Sequence, residues 1–70
     1  MLKKQCDKNI VRTIELALEM IRLAEEGQEA REDTGCGVLY GILLDSGYRL
    51  LALAEKEKQA HIGKGEFREV

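Results

Sequence analysis

Gly27-Gln28-Glu29-Ala30-Arg31-Glu32-Asp33-Thr34-Gly35 is the stretch that decides the fold. The apolar pattern of the preceding residues stops at Gly27 and resumes after Gly35, and the chain has no proline to break a helix elsewhere. Glycine suits the position just past a helix C-terminus, because it enters the left-handed region without the penalty of a Cβ. Asp33 and Thr34 are each suited to cap a following helix, since a short side-chain oxygen accepts a backbone N–H that has no partner in the first turn. The stretch therefore predicts a turn between two helices, about 2–26 and 35–60.

Working back from the turn, Cys6, Ile10, Ile14, Ala17, Ile21 and Ala24 recur at near-heptad spacing and form an expected inner seam. Val11 and Leu18 flank it on one side, and Leu16, Met20 and Leu23 on the other. The apolar arc is then roughly 220° wide, against the ~100° that a surface helix needs. One partner helix cannot cover such an arc. The remaining stripe of Lys8, Arg12, Glu15, Glu19, Arg22 and Glu26 is charged throughout and faces water, with Arg12–Glu15, Glu19–Arg22 and Arg22–Glu26 at pairing separations.

Working forward, Cys36, Leu39, Leu43, Leu50, Leu53 and Ala54 are the expected inner face of the second helix, with Asp45, Arg49, Ala52 and Lys56 opposite. Folding the helices back about the turn sets Ala24 beside Cys36, Ile21 by Leu39, Ala17 by Leu43, Ile14 by Ser46 and Gly47, Ile10 by Leu50, and Cys6 by Ala54. Residues 1–61 read as one helical-hairpin domain. Residues 62–70, with two glycines and no period, read as a flexible C-terminal tail on which Phe67 has no required docking site.

A chain of 70 residues buries only about 60% of the surface its unfolded form exposes. Domains of this size lean on disulfides, metals or assembly. Two cysteines and one histidine are too few for a closed zinc site within one chain. The expected register puts Cys6 and Cys36 at opposite ends of the hairpin, on the order of 25 Å apart, which forbids a bridge between them. Assembly is left as the means of stabilisation. The net charge of -2, with both signs interspersed over 34% of the residues, gives no footprint for nucleic acid or anionic lipid. The amino-terminal residues and the short apolar runs suggest neither a signal peptide nor a membrane span, so a cytoplasmic, bacterial setting with reduced thiols is expected.

The densest chemical candidate is the stretch from Asp33 to Gly41. Cys36 falls in the first turn of the second helix, where the helix end favours a thiolate. Glu25, Glu26, Glu29, Glu32 and Asp33 crowd the same end and oppose an anion, and no histidine is near as a base. Cys36 is accordingly either a reactive thiol or a small buried hydrophobe, and the charges favour the second. Gly37 and Gly41 form a G-x-x-x-G pair, which reads as a close helix crossing with Tyr40 or Tyr48 of a second chain over it, or as an irregular helix start. The glycines lack the lysine and preceding strand of a phosphate loop. Ser46 is expected in the seam. Glu57 and His61, four apart, could share a metal across a dimer, although a solvated helix end is the plainer reading.

The run from Asp33 to Tyr48 resembles the signature of a group of short, uncharacterised bacterial helical-hairpin proteins, in which D-x-G-C-G-x-L-Y-G leads into a D-S-x-Y step. The resemblance covers about a quarter of the chain. It implies a shared hairpin and a bacterial cytoplasmic origin, no known activity, and a working surface between Asp33 and Tyr48.

These readings converge on an all-α antiparallel helical hairpin that dimerises into a four-helix bundle. Its expected interface is Val11, Leu16, Leu18, Met20 and Leu23 from the first helix, with Gly37, Tyr40, Gly41, Leu44, Tyr48 and Leu51 from the second. The expected function is a small structural or regulatory protein–protein interaction module, not an enzyme, with no metal or cofactor. Its partner is a second copy of itself or another protein, and neither nucleic acid nor membrane. The alternative is a thiol-based or metal-linked activity centred on Cys36.

Overall fold

The computed structural model describes residues 5–63. They form two helices, α1 (Gln5–Ala30) and α2 (Thr34–Gly63), packed antiparallel as a hairpin, with no strand among the described residues. Leu2 at the expected helix start and residues 64–70 of the expected tail, Phe67 included, lie outside the described residues. Ile62 and Gly63, expected in that tail, continue α2.

The turn is shorter than the sequence suggested. Gly27 does not end α1. The helix continues to Ala30, and only 31–33 leave it. The reason lies across the hairpin: the Tyr40 ring rests on Gly27, where an added Cβ would sit 2.5 Å from Cδ1 and Cε1. Here glycine provides lateral room rather than a left-handed cap. Gln28 Nε2 then donates to the Gly37 carbonyl at 3.0 Å, tying the last turn of α1 to the first turn of α2. Asp33 supplies the cap, its Oδ1 accepting from Cys36 N at 2.8 Å.

Moving the pivot toward Asp33 slides the helices past each other by about two turns relative to the expected register. Gly47, rather than Leu43, lies on Ala17 and Ile21; a Cβ there would be 2.9 Å from Ile21 Cγ1 and 3.4 Å from Ile21 N and the Ala17 carbonyl oxygen. His61 meets Asp7 at the open end, where Cys6 was expected to meet Ala54. The facing positions follow an unbroken three-four alternation on both helices: 7, 10, 14, 17, 21, 24 and 28 on α1, and 37, 40, 44, 47, 51, 54, 58 and 61 on α2.

This seam is built from small residues. Its buried apolar members are Ile10, Ala17, Ile21, Ala24 and Ala54, joined by Gly47. Small side chains let two helices approach closely, and the close approach excludes the leucines expected inside: Leu39 and Leu53 are 58% and 65% exposed. Ser46, expected in the seam, is exposed one position away from Gly47. On the solvent stripe Arg22 takes Glu19 at 2.8 Å, and Arg49 pairs with Asp45 at 3.1 Å.

Candidate interaction surface

Two features stand out on this scaffold: a buried polar pair at the open end, and an apolar surface that the hairpin leaves uncovered.

Asp7 occupies the first seam position of α1 and its side chain is 1% exposed. His61, on the last turn of α2, donates from Nδ1 to Asp7 Oδ1 at 2.7 Å with its own side chain 13% exposed. The other imidazole nitrogen, Nε2, lies 3.5 Å from Glu57 Oε1. Asp7 Oδ2 is buried with no hydrogen-bond partner. A buried carboxylate oxygen left unpaired is costly. The pair nevertheless fixes register, because it joins residues 54 apart in sequence and a slide of either helix would separate the charge from its donor. Asp7 escaped the sequence reading. The signal was available in its three-residue spacing to Ile10, but a hydrophobicity-led reading chose its neighbour Cys6, which is exposed. Glu57 and His61 do come together; among the described residues they belong to no group of three or more potential metal ligands.

Cys36 is half-buried and Cys6 exposed, both as free thiols. The Cys36 amide is spent on the Asp33 carboxylate, which puts a negative charge at the same helix end. That hydrogen bond is the main reason the Asp33 carboxyl is held below its ordinary value of 3.8. The structure places no histidine beside Cys36; the chain's single histidine is at the other end of the hairpin.

The expected interface residues divide in two. Leu16, Leu18, Leu23 and Tyr48 are between 47% and 58% exposed, Gly41 is exposed, and Val11 and Met20 are half-buried. Tyr40, Leu44 and Leu51 occupy seam positions and are half-buried against α1, so Tyr40 covers Gly27 of its own chain. Gly37 lies beneath Arg31 of its own chain, and Gly41 has ample room, a Cβ there standing 3.8 Å from Gln28 Nε2. The close helix approach therefore uses Gly27 and Gly47 within the hairpin, not the G-x-x-x-G pair.

Sequence reasoning missed the exposure of Val38, Leu39, Ile42 and Leu53, which range from 58% to 65%. A shallow groove of about 400 Å³ shows how they open: Cys6, Asn9, Ile10 and Thr13 of α1 line it with Leu50, Leu53, Ala54 and Glu57 of α2. The Thr13 side of α1 and the Leu50–Leu53 side of α2 thus share one broad face. Helical spacing carries that face on to Leu16, Met20 and Leu23, and to Ile42 and Leu39. A second groove, along Leu16, Met20 and Leu23 between Glu19 and Glu26, lies on the same side of α1.

By length and composition alone α2 is also apolar enough to cross a membrane, with a mean hydropathy of 1.3 over 18 residues, of which 6% are buried. The hairpin does not itself supply the burial that so apolar a helix calls for. No protein-family model, curated protein or solved structure matches the chain.

Proposed function

We propose that the protein is a small structural or regulatory protein–protein interaction module that works as a homo-oligomeric helical bundle, in the first instance a homodimer. One observation carries this reading. Nine large apolar side chains among the described residues are at least 45% exposed, around a buried apolar core of two isoleucines and three alanines. Contiguous exposed apolar surface on that scale marks an interaction site. A second copy is the economical occupant, since it has an equal apolar face to cover.

Lipid is a weaker occupant than protein. Asp45 and Arg49 sit within the apolar run 38–54, and each costs roughly 2.5–3.5 kcal/mol at a bilayer centre. In an aqueous bundle the same two residues face water as a solvated pair. A thiol activity at Cys36 draws little support, because the capping carboxylate opposes the thiolate.

Light scattering behind size-exclusion chromatography, across a dilution series, tests the proposal. The expected mass is twice the 7.9 kDa of the chain. A compact, stable monomer at all concentrations overturns it.

A further inference from the structure

The inference drawn here rests on the self-association reading and says which surface is used and how the copies are related. The pattern on α2 is symmetric about Ser46. Leu39 and Leu53 each stand seven residues from it, and Ile42 and Leu50 each stand four from it. On α1, Leu16 and Leu23 stand four before and three after Met20. Both sets lie on the broad face that opens at the Thr13, Leu50 and Leu53 groove.

The two centres are also level with each other. Gly47 packs against Ala17 and Ile21, which puts Ser46 and Met20 at nearly the same height along the hairpin. This coincidence matters because of what a two-fold axis demands. When two identical faces stack about an axis that crosses the helices, each helix meets its own copy running the other way, so each pattern must read alike from both ends. The two patterns must also share one midpoint. Stacking about an axis parallel to the helices needs neither property.

We propose that the hairpin dimerises through this face, with α2 antiparallel to α2 and α1 antiparallel to α1 of a second copy, about a two-fold axis through Ser46 and Met20. Leu39 then meets Leu53 of the second copy, Ile42 meets its Leu50, and the two Ser46 side chains meet at the axis. The small serines leave room that the two Met20 side chains, flexible enough to fill irregular gaps, occupy from the neighbouring layer. At the rim Arg12 lies eight residues before Met20 and Glu26 six after it, so the same axis sets Arg12 near Glu26 of the second copy, with opposite charges facing. The size is adequate. The broad face measures 48 × 18 Å, about 860 Å², against the ~800 Å² per partner of a standard stable interface.

The test uses the full chain with Cys6→Ala and Cys36→Ala, carrying either Ser46→Cys or Lys56→Cys, under mild oxidation. Ser46 and Lys56 are both exposed, so neither change disturbs the seam. Ser46→Cys is expected to form a disulfide-linked dimer at least about tenfold faster than Lys56→Cys, because paired thiols react at an effective concentration in the millimolar range. Equal rates at the two sites overturn the proposal. So does a dimer by light scattering in which Ser46 crosslinks only to a Cys at Met20, which would mean stacking about the lengthwise axis; self-association would still stand. A monomer by light scattering overturns both.

Discussion

The two ends of the hairpin are closed by different physics. At the turn, closure is local and redundant: Tyr40 covers Gly27, Gln28 holds the Gly37 carbonyl, and Asp33 caps α2. At the open end, one buried polar pair, Asp7 with His61, joins residues 54 apart. Local contacts tolerate loss because the neighbouring ones keep the chain in place. A single buried pair does not, since removing either partner strands the other. The turn makes a hairpin, and the open end selects its register.

The largest expected effect follows directly. His61→Ala leaves the Asp7 carboxylate buried without its donor and should destabilise the fold by about 3–5 kcal/mol. Urea unfolding followed by circular dichroism, at fixed chain concentration because assembly contributes to the measured stability, reads the loss. The double change Asp7→Leu with His61→Leu removes both polar partners and should recover most of that loss. A His61→Ala variant as stable as the parent would show that the pair does not hold the open end.

Next in size is the seam's closest approach. Gly47→Val puts branched carbon where even a Cβ would stand 2.9 Å from Ile21 Cγ1 and against α1 backbone. Overpacking of this kind typically costs about 1–3 kcal/mol. Gly41→Ala is the contrast, because its Cβ has ordinary clearance at 3.8 Å. Relieved of a helix-interior glycine, that variant should be more stable by about 1 kcal/mol. If the two glycines responded alike, the assignment of the close crossing to Gly47 rather than to the G-x-x-x-G pair would fail.

The same contrast explains what the sequence disclosed. Two helices and an antiparallel turn were legible, because helical periodicity and a capping aspartate are local signals. Asp33 was one of two candidates, and it is the one whose oxygen meets the Cys36 amide. Register was not legible. It depended on whether Gly27 ended α1 or seated Tyr40, and glycine is equally suited to both. Nor was the identity of the inner face, for a related reason. Hydrophobicity points to the bulkiest residues, whereas a close helix crossing selects Ala17, Ala24, Gly47 and Ala54 and turns Leu39 and Leu53 outward. Asp7 was hidden by its charge, though its spacing belonged to the seam. The apolar surface was anticipated in amount and misplaced in part, since Tyr40, Leu44 and Leu51 turn inward while Ile42 and Leu53 face out.

The smallest effect belongs to the cap and sharpens the comparison at the turn. Asp33 is fully exposed, and its carboxyl is lowered chiefly by the hydrogen bond to the Cys36 backbone amide. A group whose folded value lies below its unfolded one stabilises the fold above the unfolded value. Its contribution is therefore complete above about pH 4 and disappears as the pH falls through the folded value. Asp33→Asn keeps a side-chain oxygen for the amide, since asparagine caps about as well as aspartate, but cannot titrate. It should be nearly as stable as the parent at pH 7 and should lack the parent's loss attributable to this group in the acid limb. Asp33→Ala should be the less stable of the two variants at pH 7. The midpoint of thermal unfolding, compared for the three chains from pH 7 down to pH 3, separates the hydrogen bond from the charge. Loss of the hairpin in Asp33→Ala would mean that the turn, too, hangs on a single contact.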